Sequence, residues 1–557
     1  MIDTLIRGGL LVDGTGGAPR HGDLAISQGR IVGVGDLRAG EVSADRVIDA
    51  TGLVVAPGFW DIHTHYDVQL LWDPMASSSS WHGVTTIVTG NCGFSPAPCR
   101  PEDQPWMTRT LARLEGIDVD VLERSRPWPW QSFGEYLATL DGSLGVNVIA
   151  QVGHMAIRRY VMGEAASERQ AEDSEIEAMR SLLADSLAQG GMGFSTSRAG
   201  SHWDGEGRPV PSRLASEAEY RTLVGELSVL DAGFVQLLAP DFDADALAEI
   251  ARLSGLGVCL NAIFQRFDRP ESWRDDLRAL AERREEGTRF FAQAHCQAHD
   301  FEVTFRSTDV FDRWPTWRET LAADHEEKCR RLRDPAIRAR MREEMNSERD
   351  SIVPLSWERI VLVESPTGRH RADEGRSLSE IARQRSCDPL DVAFDIALDE
   401  DLDSHFRVLD SRNHDEAAML EILRSPHVVP GPSDAGAHLL RAANTGFPTW
   451  LLGHWVREKQ ALPLEEAVHL LSGRAARELG VTDRGLLREG QAADVVLFDA
   501  DSVASLGREF VGDLPGGGRR WVQYAAGIES VWVNGEITLE GGTPTGCLSG
   551  RTLRGRH

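Results

Sequence analysis

Residues 55–65 read VAPGFWDIHTH: an apolar strand, a Pro-Gly turn and a His-x-His pair. Side chains two residues apart on a strand face the same side, so His63 and His65 are predicted to project together from a strand end. Two imidazoles on one side begin a metal site, because neutral imidazole is a good ligand for zinc and its neighbours. The alternative, two unrelated polar histidines, is disfavoured by the strand and turn that precede them.

Seven further apolar β-runs follow this one through the middle of the chain, and most precede a helical pattern. The eight runs end near residues 63, 89, 152, 196, 237, 261, 293 and 429. Eight βα units favour an α/β fold of the (β/α)8 TIM barrel type, whose active site lies at the C-terminal ends of its strands.

The two ends of the chain have a different sequence pattern, in which short predicted strands are separated by Gly, Asp and Asn. We predict that residues 1–57 and 480–557 form one small β-sandwich domain built from both termini. Residues 58–479 are predicted to form the barrel, with a charged helical insertion near 301–350. That insertion is either a solvated set of helices, a lid or an oligomer contact.

Composition excludes several classes of protein. The chain has 557 residues, 41% hydrophobic and 26% charged, values that argue against a disordered chain, a collagen or a membrane bundle. Its net charge of −27, from 59 basic and 86 acidic residues, disfavours nucleic acid as a partner. The start has no signal-peptide pattern, no long apolar run predicts a membrane span, and seven scattered cysteines fit a reducing cytoplasm.

Two more motifs end at the predicted barrel mouth. Residues 84–93, VTTIVTGNCG, place Cys92 after a β-branched strand, where a thiolate can bind or bridge a metal; the alternative is a small buried residue. Residues 433–438, SDAGAH, place Asp434 after the eighth strand, where it can ligate a metal and act as general base, or simply cap a helix. Weaker candidates, each with a purely structural alternative, are His154, His295 and His438.

Together the motifs resemble the amidohydrolase superfamily, and more closely its N-acyl-D-amino-acid deacylase (D-aminoacylase) branch. The resemblance covers most of the chain, and Gly-Asn-Cys-Gly is specific to that branch. The stretches that carry it are residues 57–65, 83–93, 447–454, 482–485, 490–499 and 526–535. It implies a metal-bearing barrel with a two-ended β-sandwich, and hydrolysis of the amides of N-acylated amino acids by a zinc-activated water.

The sequence departs from that family at two middle strands, each of which ordinarily supplies a histidine. Residues 235–239 read VQLLA, Phe264 stands where a histidine is expected, and Arg266 stands where a lysine is expected. The retained set is His63, His65, Cys92 and Asp434, which can complete one tetrahedral site for a divalent metal, with zinc as the first choice and one ion rather than two. His295 is a possible substitute for a lost histidine.

Lysine usage decides a related question. Only two residues are lysine, Lys328 and Lys459, and neither lies at a predicted strand end. A carboxylated lysine bridging two metals, as the resemblance would allow in hydantoinase-like relatives, is therefore not expected.

The sequence thus predicts a cytoplasmic, metal-dependent hydrolase of an N-acylated amino acid, D-configured as one option, or of a similar carboxylate-bearing small molecule. Asp434 is the expected general base, Arg266 the expected carboxylate clamp, and His154 and His438 further substrate contacts. Alternatives are a lactone, a carbamate or another C–N substrate, a lyase, or a non-catalytic scaffold. The superfamily resemblance favours a homo-oligomer.

Overall fold

A computed structural model describes residues 2–37, 43–238, 244–306, 308, 310–347 and 355–555. Parts of the predictions fall on other residues: 1, 38–42 and 556–557 of the terminal domain, 239 of the departing stretch, and 307, 309 and 348–350 of the insertion. These lie outside the described residues.

The centre of the molecule is a closed ring of parallel strands. Neighbours in the ring pair in chain order, and Thr64 forms a parallel bridge with Ala435 that joins the first strand to the last. The strands are β6 (Phe59–Asp61), β7 (Val84–Thr89), β8 (Asn147–Ala150) continued by β9 (Val152–Gly153), β10 (Gly193–Ser197), β11 (Phe234–Leu238), β12 (Gly257–Leu260), β13 (Phe290–Ala294) and β17 (Val428–Pro430). The predicted (β/α)8 barrel is confirmed.

These strands are buried on both faces, as β7 illustrates with six buried residues out of six. Strands of a parallel sheet are covered on both sides by helices and by the barrel interior, which is why continuous rather than alternating apolar runs identified them.

Helices follow the strands and surround the ring. They are α1 (Gln104–Glu115), α2 (Val119–Arg124), α3 (Phe133–Leu140), α4 (His154–Met162), α5 (Asp173–Ala188), α6 (Glu217–Gly225), α7 (Ala244–Ser254), α8 (Ser272–Glu285), α14 (Glu416–Arg424), α15 (Phe447–Trp450), α16 (Leu464–Leu471) and α17 (Gly473–Glu478). Among the described residues, no helix is both long enough and apolar enough to cross a membrane.

Strands from both ends of the chain share one sheet. The N-terminal strands are β1 (Ile2–Leu11), β2 (Arg20–Ser27), β3 (Arg30–Gly35), β4 (Ala44–Asp49) and β5 (Val54–Pro57). The C-terminal strands are β18 (Val495–Phe498), β21 (Ile528–Val533), β22 (Glu536–Glu540) and β23 (Thr543–Pro544), and β5 pairs antiparallel with β18 where the two sets meet. A short last strand, β24 (Thr552–Leu553), leaves this sheet and pairs with β8 of the barrel.

The segment that interrupts the barrel between β13 and β17 is longer than the charged stretch at 301–350 suggested. We call residues 299–412 the insertion module. It contains β14 (His299–Val303), α9 (Pro315–Leu321), α10 (His325–Arg333), α11 (Pro335–Ser347), β15 (Ile360–Glu364), α12 (Leu378–Arg385), α13 (Pro389–Asp399) and β16 (His405–Arg412). The module has its own aromatic core, in which the rings of Phe311 and Trp317 stack with centroids 4.4 Å apart.

A hairpin of β19 (Ala504–Leu514) and β20 (Gly518–Ala526) is joined to the barrel through a buried histidine. The Nε2–H of His82 donates to the carbonyl of Gln523 on β20 over 2.9 Å, and Nδ1 lies 2.7 Å from the hydroxyl of Thr449. His82 is completely buried, and burial lowers the pKa of its imidazole to about 4.

This pKa makes the stability of the protein sensitive to mild acid. An unfolded histidine takes up a proton near pH 6.5, whereas folded His82 stays neutral down to about pH 4. We therefore expect the free energy of unfolding to fall as the pH drops from 6.5 to 4, with about 3 kcal/mol contributed by His82. Chemical denaturation of the metal-free protein across this range should show a shallower pH slope for His82→Gln. His414→Gln, a change at an exposed histidine, should leave the slope unaltered. Equal slopes for wild type and His82→Gln would show that His82 does not contribute to the pH dependence of stability.

Candidate metal centre

The first two strands of the barrel bring together, at its C-terminal mouth, three side chains that could hold a metal ion. Donor atoms of His63, His65 and Cys92 all lie within 4.8 Å of one another, and all three side chains are buried. The eighth strand adds a carboxylate, because Asp434 Oδ1 is 3.2 Å from His63 Nε2 and 3.9 Å from His65 Nε2. The four residues that the motifs singled out are thus adjacent in space.

Side chains behind the cluster orient both imidazoles. His63 Nδ1 is 2.9 Å from Gln293 Oε1, an atom that only accepts, so this nitrogen carries the proton and Nε2 presents its lone pair to the cluster. His65 Nδ1 lies 3.2 Å from Glu115 Oε1 in an ion pair, which leaves Nε2 facing the cluster. A histidine whose outer nitrogen donates to a carbonyl or carboxylate is the usual arrangement around a bound metal, so these donors fit a divalent cation.

The charges of the cluster also fit a cation. Burial lowers the pKa of His63 to about 4 and is opposed by Asp434. Burial also lowers the pKa of His65, but the Glu115 carboxylate and Cys92 more than offset it and raise that pKa well above its ordinary value. Burial raises the pKa of Asp434, and His63, His438 and His65 together reverse this and hold it below the ordinary range. A metal that replaces the His65 proton keeps the local charge balanced.

Asp434 reaches the centre through a tight turn. Its φ of 51° lies in the left-handed region, and the preceding Ser433 hydroxyl donates to Asp61 Oδ2 over 2.6 Å. At Gly436, φ is 91°, and a Cβ there would lie 2.5 Å from the His65 carbonyl carbon and oxygen. Glycine at position 436 is therefore required sterically, because only glycine lets the loop approach the first strand this closely.

The centre opens into a cavity of about 640 Å³ that is bounded by the barrel mouth and the insertion module. Part of its wall is apolar, with Leu237, Leu260, Phe264 and Phe301. Among the described residues, arginines outnumber acids in the lining: Arg266, Arg269, Arg313, Arg412 and Arg441 against Glu115, Asp276 and Asp434. A cavity of this size and charge suits a small anionic molecule with an apolar portion.

The weaker candidates are placed less centrally. His295 lies outside the three-residue donor group; it stacks on Phe264 with centroids 5.5 Å apart and meets His299 edge-on. Arg266 lines the cavity, but its guanidinium is held by both oxygens of Asp268, at 2.9 and 2.7 Å. His438 lines the cavity and accepts from the guanidinium of Arg441.

The expected substrate contact by His154 is not found. Its ring nitrogens face Thr196 Oγ1 at 2.9 Å and Glu219 Oε1 at 2.7 Å, and the residue is completely buried outside the cavity lining. The strand that precedes His154 has already turned into α4, which directs the side chain between the barrel and its helices.

Sequence reasoning missed five residues of the site. Gln236 and Gln293 lie within strands five and seven, and Asn261 directly follows strand six. A buried polar residue in or just after a barrel strand is the signal that could have identified them. Asn261 Nδ2 lies 3.7 Å from the Cys92 sulfur. Glu115 and Arg412 come from the end of α1 and the end of the insertion module, and no local motif marks either one.

Comparisons with known proteins agree with this architecture. A sequence model of the amidohydrolase family matches residues 46–539. An N-acyl-D-aspartate deacylase of Alcaligenes xylosoxydans xylosoxydans is 30% identical over 97% of this chain and 92% of its own length. The structure of an N-acyl-D-glutamate deacylase from Bordetella bronchiseptica, solved with zinc and a phosphonate mimic of the tetrahedral intermediate, matches with a TM-score of 0.66 and 25% identity over 99% of both chains. A D-aminoacylase structure described for its binuclear metal centre, with one-metal activation and second-metal attenuation, matches with a TM-score of 0.67 and 26% identity over 100% of both chains. This chain belongs to the amidohydrolase family.

Proposed function

We propose that this amidohydrolase cleaves the amide bond of an N-acylated amino acid, using a divalent metal held by His63, His65, Cys92 and Asp434. The observation that carries the proposal is the buried donor group, within 4.8 Å, that meets Asp434 at the mouth of an arginine-rich cavity. Relatives that act on N-acyl-D-aspartate and N-acyl-D-glutamate support the same reaction class, and the latter was solved with zinc.

A divalent metal held by these four residues would supply a Lewis acid for the substrate carbonyl and for water, which is the chemistry that amide hydrolysis needs. The protein supplies the proton transfers. Because its pKa lies below the ordinary range, Asp434 is ionised at neutral pH and can take a proton from the attacking water. The same carboxyl then returns the proton to the leaving amine, so that one group serves as base and acid.

We propose one ion rather than two. The family resemblance expects histidines from the middle strands. Here Phe264 stands at one such position, and strands five and six bring the carboxamides of Gln236 and Asn261 to the site. Neutral carboxamides are poor ligands for zinc, which prefers imidazole, thiolate and carboxylate. His295 is held in an aromatic stack, which argues against its recruitment as a further ligand. The four retained donors suffice for a single cation with one weak or displaceable ligand.

The substrate carboxylate is proposed to meet Arg412, which takes the role first assigned to Arg266. Arg412 is 8% exposed, lines the cavity, and lies with its Cζ 4.1 Å from the centroid of Phe264. Burial and the neighbouring Arg266 lower the pKa of Arg412 to about 10, so it remains a cation at neutral pH. A stacked guanidinium of fixed orientation binds a carboxylate through paired N–H donors. Assembly as a homo-oligomer and a cytoplasmic location stay predictions from the sequence.

The reaction is tested by supplying the zinc-loaded protein with N-acetyl-D-aspartate, N-acetyl-D-glutamate, N-acetyl-D-leucine and their L forms. We expect release of free amine from at least one member, measured with an amine-reactive reagent. Asp434→Asn should lower kcat on that substrate by about 10²- to 10⁴-fold at saturating zinc, the usual contribution of a general base. The surface change Asp275→Asn is the matched control. Wild-type turnover in Asp434→Asn would contradict the mechanism, and no hydrolysis of any amide would contradict the function.

Arg412 has a matched control on its own strand. Arg407 also lies on β16 but pairs with Glu302 and is absent from the cavity lining. Loss of a charge-assisted pair of hydrogen bonds costs about 1.5–3 kcal/mol, so Arg412→Gln should raise KM by about 10- to 100-fold with a smaller change in kcat. Arg407→Gln should leave both constants near wild type. Equal effects of the two changes would show that Arg412 does not bind the substrate.

A further inference from the structure

The loop that carries Cys92 has an unusual backbone. The φ angle is 75° at Gly90, 56° at Cys92 and 80° at Gly93. Glycine adopts such left-handed angles freely, but a residue with a Cβ does so at a cost in free energy. Cys92 therefore needs a specific interaction that holds it in this conformation.

Side chains of two barrel strands supply that interaction. The Cys92 N–H donates to Gln236 Oε1 over 2.7 Å, and the Gly93 N–H donates to Ser195 Oγ over 2.9 Å. The Ser195 hydroxyl in turn donates to the carbonyl of Gly90. The loop is thus fixed at both ends by β10 and at Cys92 itself by β11.

Gln236 is an energetically unfavourable residue at this position. It is completely buried, and in the described part of the chain its Nε2 has no hydrogen-bond partner. A buried donor without an acceptor costs free energy, which an apolar side chain of similar size would avoid. Among the described residues, the one hydrogen bond of the Gln236 side chain is the one that its Oε1 accepts from the backbone N–H of Cys92.

The conformation of Cys92 decides where its sulfur lies. In the left-handed form Sγ is 3.6 Å from His63 Nε2 and belongs to the donor group of the metal centre. A return to a right-handed backbone would redirect the Cα–Cβ bond and carry the sulfur away from the two histidines.

We propose that Gln236 is a positioning residue that holds Cys92 as a metal ligand, in place of ligating the metal directly. This inference rests on the metal centre of the proposed function. It assigns a role to the carboxamide of Gln236, which lies beside the proposed metal ligands. It predicts that the acceptor oxygen at position 236, rather than the size of the side chain, controls metal–sulfur bonding.

The test is a titration of the metal-free protein with Co²⁺, monitored through the thiolate-to-cobalt charge-transfer absorption band. Cys92→Ser, which has no thiolate at this position, gives the baseline. Gln236→Leu should lose most of this band and bind Co²⁺ about 10- to 100-fold more weakly, as is usual when the support of a ligand is removed. Gln236→Glu keeps an acceptor oxygen and should retain the band.

Gln151 provides the matched control, since it is equally buried, lies at the end of the third barrel strand and makes a hydrogen bond to Phe234 O instead. Gln151→Leu should keep the wild-type band. Full band and affinity in Gln236→Leu, equal losses in Gln151→Leu, or a wild-type complex without the band would each overturn the inference. Hydrolysis of N-acyl amino acids by the wild type is measured separately. A charge-transfer band without hydrolysis would contradict the proposed function but not the role of Gln236.

Discussion

The contact between the first and last barrel strands is the constraint on which the site depends. The N–H of His65 donates to the carbonyl of Ala435 over 2.6 Å, and the neighbouring Thr64 pairs with Ala435 in parallel register. This closure places the His-x-His motif against Asp434, although the two are separated by most of the chain. Any side chain at Gly436 would force the strands apart, so backbone sterics and metal chemistry constrain the same few residues.

Around that contact, residues from several elements orient the polar groups of the centre. Glu115 faces His65, Gln293 faces His63, and Gln236 holds the Cys92 backbone. Each of these polar groups is buried, where an unpaired charge or donor is costly. Preorganisation of this kind fixes the orientation of the donors before a cation or substrate arrives.

The sequence predicted the barrel and the four central residues because both depend on local patterns. Apolar or β-branched runs mark the parallel strands, and His63, His65, Cys92 and Asp434 each lie within four residues after the end of one. Glu115 could not be found in this way, because it meets His65 only after α1 packs across the mouth. Likewise, His154 has the sequence context of a mouth residue, and only the three-dimensional packing shows that Glu219 and Thr196 engage it.

The insertion module also shows what local sequence patterns cannot predict. Its charge-dense helices identified residues near 301–350, but β15, α12, α13 and β16 are apolar enough to resemble ordinary barrel units. Their assembly into a separate core is a property of long-range packing, and it is this assembly that brings Arg412 to the cavity. In the proposed function, recognition of the substrate and chemistry at the metal thus come from different parts of the fold.

The most direct test of the account is the number of metal ions per chain at which hydrolysis saturates. Metal-free protein is titrated with Zn²⁺ while bound metal and release of free amine from an N-acyl amino acid are measured together. The account predicts that activity rises linearly and reaches its maximum at about one ion per chain. Activity that first appears with a second ion, or full activity without bound metal, would contradict it.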